Sequence, residues 1–205
     1  SDYQRWNLAS FMGRVNYNYK DRYLLTVSAR YDGSSRLAPG HKWVLFPSAA
    51  LAWRVKEESF LKDADCLSNL KLRLGWGITG NTAIDPYKTQ GNLEYGRYSY
   101  GSNGVLAFYQ KEMPNPNLSW EKTEQWNAGS DFGFLNGRIG GSVDLYLQNT
   151  NDLLMDRQLP IVSGFGNVTT NIGQIRNKGL EVTLNTVNID TKDFKWPTDF
   201  MFSVN

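Results

Sequence analysis

The sequence predicts an all-β chain, an antiparallel up-and-down meander of about eight strands that forms part of a transmembrane β-barrel. Three observations predict it. Apolar residues recur at every second position through most of the chain, short and long connections alternate, and aromatic residues collect where the strands meet the short connections.

The alternation begins in "SFMGRVNYNYK", where Phe11, Gly13, Val15, Tyr17 and Tyr19 share one face and Met12, Arg14 and Asn16 the other. After a break at Lys20–Arg22, Tyr23, Leu25, Val27, Ala29 and Tyr31 alternate with Thr26, Ser28 and Arg30. A third run sets Leu45, Ala49, Leu51 and Trp53 against Ser48, Ala50, Ala52 and Arg54. In "LKLRLGWGITG", Leu70, Leu72, Leu74, Trp76 and Ile78 oppose Lys71, Arg73, Gly75, Gly77 and Thr79. Further on, Trp126, Ala128, Phe132 and Phe134 oppose Asn127, Gly129 and Asp131, and Asn136-Gly137 marks a tight hairpin turn. Ile139, Val143, Leu145 and Leu147 then oppose Ser142 and Asp144, and Leu180, Val182 and Leu184 oppose Glu181 and Thr183. Last, Phe194, Trp196, Phe200, Phe202 and Val204 oppose Lys195, Asp199 and Met201. A short helical turn fits "EESFLKDADCLSN", and no long helix is predicted.

Breaks at Lys20–Arg22, Asn136–Gly137 and Asp190–Asp193 are short and Glu57–Asn69 is moderate, whereas Gly33–Lys42, Gly80–Leu118 and Thr150–Gly173 are long. In a zigzag of strands every short break falls at one end and every long one at the other, the asymmetry of outer-membrane barrels. Tyr17, Tyr19, Tyr23, Trp53, Phe132, Phe134, Phe194 and Trp196 cluster near the short-turn end, and Tyr31, Trp76 and Trp126 supply an opposite girdle. Leucines then face lipid, and lysine and arginine face a wet or protein-filled interior. Alternation alone equally fits a soluble β-sandwich, such as a carbohydrate-binding module. The loop asymmetry and the aromatic placement favour the barrel.

Hydrophobic residues at 40% and charged residues at 20% exclude a disordered chain, and a net charge of +2 with no basic run gives no sign of a nucleic-acid partner. No apolar run approaches the ~18 residues of a membrane helix, which leaves a closed sheet as the route through a bilayer. Cys66 is the only cysteine and His41, in "APGHKW", the only histidine, so no intrachain disulfide and no metal cluster of usual spacing is expected. Glu121 and Glu124 fall on opposite faces of a strand and form no local carboxylate pair. "GFGN" at 164–167 lacks the rest of a phosphate loop, and the two Asn-x-Ser/Thr matches at Asn117 and Asn167 carry no weight. No catalytic residue and no cofactor is expected, and a barrel enzyme of the outer membrane is the least supported reading.

Two sets of residues are candidates for function. The inward charges Arg14, Arg30, Arg54, Lys71, Arg73, Asp131, Asp144, Glu181 and Asp199 would line a lumen, either gripping a plug and bordering a substrate path or simply solvating an inner wall. The loop aromatics Trp43, Tyr87, Tyr95, Tyr98, Tyr100 and Tyr109, several in "EYGRYSYGSNG", suit stacking on sugar rings, contact with a lid, or packing within the loop.

Four segments carry a family likeness: "GRVNYNYKDRYLLTVSARYDGSSRLAPGHKWVLFPSAALAWRVKEESFL", "SNLKLRLGWGITGN", "NPNLSWEKTEQWNAGSDFGFLNGRIGGSVDLYLQNTNDLL" and "NIGQIRNKGLEVTLN". Together they cover most of the chain, and it resembles the SusC/RagA-type TonB-linked outer-membrane transporters. The resemblance implies a single-chain barrel of about twenty-two strands around an N-terminal plug. It also implies location in the outer membrane of a Gram-negative bacterium, import of large nutrients, glycans or peptides, a SusD-like lipoprotein lid, and energy from TonB with ExbB and ExbD acting on the plug. Residues 1–205 would then be a fragment of the C-terminal barrel region, with plug, TonB box and terminal aromatic strand outside it.

Overall fold

A computed structural model of the chain describes residues 3–61, 63–91, 93–101 and 103–205. Its strands are β1 (Leu8–Tyr19), β2 (Tyr23–Ser34), β3 (Trp43–Arg54), β4 (Leu67–Asn81), β5 (Leu93–Tyr100), β6 (Asn103–Gln110), β7 (Glu121–Phe134), β8 (Ile139–Asn151), β9 (Leu154–Gln158), β10 (Asn167–Asn171), β11 (Gln174–Asp190) and β12 (Lys195–Val204). Eight form one antiparallel sheet in the order β1-β2-β3-β4-β7-β8-β11-β12, the expected meander. The two longest connections, anticipated as loops, each fold into a two-stranded hairpin of their own, β5–β6 and β9–β10. The one helical turn between β3 and β4 among the described residues is Val55–Glu57, which ends where the expected stretch 57–69 begins; the described residues from Glu58 to Cys66 form turns and bends instead.

Register converts the alternation of single strands into rows across the sheet. One row reads Tyr17, Leu25, Leu51, Leu74, Ala128, Leu145, Leu180 and Val204, without a charged residue. One residue along, on the opposite face, a row reads Ala52, Arg73, Gly129, Asp144, Glu181 and Ser203. Among the described residues no second sheet covers the apolar row, and Leu74 and Leu145 remain 58% and 54% exposed. A sandwich closes its apolar faces on each other. This sheet does the reverse, which removes the sandwich reading.

The buried core lies instead at the long-loop end. The β3–β4 ladder stops at Ser48↔Gly77, directly below Pro47, which brings no amide hydrogen. Beyond it the two strands layer rather than pair. Phe46, from the charged side of β3, reaches over Gly80 of β4, and a Cβ at Gly80 would lie 2.0 Å from its ring. Leu37, Ile84, Leu118 and Trp120 fill the wedge with Phe46, and Val44, Ile78 and Leu154 pack against it. The Trp120 indole N–H donates to the Lys42 carbonyl at 2.9 Å.

At the short-turn end, Lys20 and Asp21 both take positive φ (53° each), and the Arg22 N–H bonds the Tyr19 carbonyl at 3.1 Å. This left-handed pair matches the twist of the strands it joins. The Asn136-Gly137 turn is longer than its sequence implies. Phe134 pairs with Ile139, and Leu135 (φ 52°), Asn136 (55°) and Gly137 (83°) all turn left-handed. Leu135 holds this uncommon conformation while its N–H bonds the Cys66 carbonyl at 2.9 Å.

Candidate functional site

Register places all nine inward-charge candidates on the face opposite the apolar row. Four of them meet. Arg73 grips Asp131 with Nη2 (2.7 Å to Oδ1) and Nε (3.0 Å to Oδ2) and reaches Asp144 with Nη2 at 3.0 Å, while Lys71 Nζ lies 3.9 Å from Asp131. The bridge to Asp144 crosses β7 at Gly129, where a Cβ would lie 2.3 Å from the Asp144 carboxylate, so only glycine leaves the path open. Glu181 is next to Asp144 in the same row. The other candidates stand apart. Arg30 pairs with buried Asp32 at 2.7 Å, Arg54 with Glu57 at 3.3 Å, and Asp199 accepts from Asn185 at 2.7 Å. Arg14 is exposed and has no ion pair among the described residues.

The apolar face is bounded at both ends by indoles tied to carboxylates. Near the short turns, Tyr23 stacks on Trp53 (6.2 Å), and Glu58 accepts from the Tyr23 hydroxyl (2.7 Å), the Trp53 indole (3.1 Å) and Arg22 (3.1 Å). The Tyr23 hydroxyl, then the Trp53 indole, holds the Glu58 carboxyl below its ordinary pKa. At the long-loop end Glu124 accepts from both Trp76 (2.8 Å) and Trp126 (3.1 Å). No sequence signal marks Glu58 or Glu124 for this, because each partner lies on another element or depends on which face a strand presents.

Trp43 is corrected from loop to strand. It opens β3, and its ring stacks on Tyr31 (5.0 Å) and Phe11 (6.2 Å) on the apolar face. From Trp43 to Trp53 the strand advances about 33 Å, or about 25 Å of height at a tilt of ~40°, the height of the apolar band on membrane barrels.

The remaining aromatics stay beyond the sheet. Tyr95, Tyr98, Tyr100 and Tyr109 lie exposed on the β5–β6 hairpin, and Tyr87 sits in the preceding turn at φ 72°. Tyr98 and Tyr100 share one face of that hairpin with Tyr109, and Tyr95 shares the other with Phe108. Lys111 and the Tyr109 hydroxyl hold Glu94, and the first of these does most to keep its carboxyl below the ordinary range. Among the described residues no group of three or more His, Cys, Asp or Glu could hold a metal ion.

The family described as "TonB dependent receptor-like, beta-barrel" matches residues 1–205. The chain belongs to the TonB-dependent receptor β-barrel family. Members of this family are outer-membrane proteins of Gram-negative bacteria. The chain is 46% identical to TonB-dependent receptor SusC of Bacteroides thetaiotaomicron, over 98% of its own length and 20% of that protein. It is 40% identical to TonB-dependent receptor P26 of Formosa agariphila, over 100% of its length and 21% of that protein. Among solved structures, a chain of the RagAB peptide importer in the 'open-open' state superposes with a TM-score of 0.87 at 30% identity, covering 97% of this chain and 21% of that one. The chain thus spans about a fifth of the length of these relatives, and the likeness is to the SusC/RagA type.

Proposed function

We propose that this segment is barrel wall in an active importer of large nutrients in the outer membrane, with oligosaccharides as cargo. One observation carries the reading: a charge-free apolar row crosses all eight sheet strands while Arg73, Asp131 and Asp144 lock together on the reverse face. Such a wall separates hydrocarbon from a polar interior, and barrels do this work. The tyrosine-bearing β5–β6 hairpin supports sugar cargo, since aromatic faces stack on the apolar faces of sugar rings. The solved RagAB importer carries peptides, and peptide cargo is the competing outcome. The full transporter would work with a SusD-like lipoprotein as lid and draw energy from TonB, ExbB and ExbD through a plug outside residues 1–205.

The test uses the full-length protein in its host. Deleting its gene should abolish growth on one class of oligosaccharide as sole carbon source. Tyr95→Ala with Tyr98→Ala and Tyr100→Ala should slow uptake while leaving the assembled amount unchanged. Loss of peptide uptake alone would reassign the cargo, and no uptake defect would remove the importer reading. In the same protein, Leu74→Arg should cost about 2–4 kcal/mol of assembly stability if Leu74 lies near the bilayer midplane. Heat-modifiability on gels reads this out, and no shift would place Leu74 outside the hydrocarbon.

A further inference from the structure

On β7, β8 and β11 the apolar face changes character toward the long loops. The row Trp76, Trp126, Leu147 and Lys178 lies directly above Leu74, Ala128, Leu145 and Leu180. The next rows add Glu124, Asn149 and Arg176, then Lys122, Asn151 and Gln174. Lys122, Arg176 and Lys178 are all exposed. Arg176 Nε donates to Asn149 at 2.7 Å, which leaves its terminal nitrogens for an outside acceptor. The ammonium groups of Lys122 and Lys178 have no ion pair or hydrogen bond among the described residues. Among the described residues of these rows Glu124 is the one carboxylate, and its Oε1 is occupied by the two indole N–H groups. Three cations against one carboxylate leave the patch at about +2.

Resting on the reading that this face meets a bilayer, we infer that Lys122, Arg176 and Lys178 form a site for the phosphate of a lipid headgroup in the outer leaflet. Depth is the first argument. Lys178 shares a row with the two tryptophans, residues typical of the headgroup layer, and a lysine stem can lie along Leu145 and Leu147 with its ammonium in the polar zone. Position is the second. At the same end of β1, β2 and β3 this face carries the Phe11, Tyr31 and Trp43 stack and no cation, so the positive charge is confined to one sector. Chemistry is the third. A guanidinium fork and two ammonium groups, set on three successive rows of one face, all bind anionic oxygen, and a phosphate supplies several such oxygens.

The test uses full-length protein in detergent micelles, with native mass spectrometry scoring retained lipid. The wild type should retain phosphatidylglycerol over phosphatidylcholine by on the order of tenfold to a hundredfold, at ~0.15 M salt. K122Q/R176Q/K178Q should bring that preference within about twofold, and K178Q alone should lie between. K192Q/K195Q, at the short-turn end, should leave it intact. An unchanged preference in the triple variant overturns the site. Release of phosphatidylglycerol by millimolar inorganic phosphate also overturns it, in favour of a soluble anion. Failure of the wild type to enter micelles would instead remove the membrane reading beneath it. Should the triple variant not fold, the three single variants decide.

Discussion

Hairpin β9–β10 pairs five residues and hairpin β5–β6 pairs eight, yet the shorter one is the better anchored. The difference lies in what each touches. Segment 111–120 runs beside β9–β10 as a strap. Met113 N–H bonds the Asn167 carbonyl (3.0 Å), and the Asn115 amide bonds the Thr169 carbonyl (2.9 Å). The Asn171 amide accepts from the Ser119 N–H and donates to the Ser119 carbonyl, both at 2.9 Å. The strap then sinks Leu118 and Trp120 into the buried wedge, and Lys88 holds Glu112 at 2.7 Å. By contrast, β5–β6 has its own ladder and the Glu94 clasp, with Tyr98 and Tyr100 62% and 76% exposed. Isolated two-stranded hairpins are marginal in water. Side-chain amides reaching a neighbour's backbone, more than strand length, set which excursion is fixed and which stays exposed.

Three experiments sharpen or break this contrast. Trp120→Ala should act most, costing about 3–5 kcal/mol locally by emptying the wedge. Amide exchange should quicken through 35–42, 111–120 and β9–β10 while β5–β6 keeps its rate. Acceleration of both hairpins alike would show that they are one unit. Asn171→Ala should cost about 1–3 kcal/mol, confined to 115–120 and 152–171, because the Ser119 N–H and carbonyl lose their shared partner. The smallest effect is pH dependence in β5–β6. Lys111 and Tyr109 depress the folded-state pKa of Glu94, so its clasp contributes fully above the ordinary glutamate range and is lost as pH falls through the depressed value. NMR titration of the Glu94 carboxyl carbon should give a midpoint below that of ordinary glutamates, and an ordinary midpoint would dissolve the clasp.

The middles of the strands were legible in the sequence and their upper ends were not. Alternation from Leu180 identified β11, but the strand begins six residues earlier at Gln174, and β7 begins at Glu121 rather than near Trp126. The cause is physical. Toward the long loops the positions on the apolar face turn from leucine to Arg176, Lys178 and Lys122, and the two-residue hydrophobic period fades although the backbone ladder continues. The same loss hid the basic patch, whose members are scattered in sequence and meet only through register. That Arg73, Asp131 and Asp144 each lie on the face opposite the apolar row was legible, because parity fixes a face. Their joining was not, since it depends on which residues stand opposite and on Gly129 leaving space between them. Trp43 was misplaced because its flanks read as loop, while its stacking partners belong to two other strands.

Seven rungs join β3 to β4, while the seams on either side of them have eleven and fourteen. The short seam ends under a proline and is topped by packed side chains in place of backbone hydrogen bonds. A force that spreads the rim of the wall therefore meets its least resistance here, and Trp120 and Leu118 are the latch that must leave its slot before the crack can run downward.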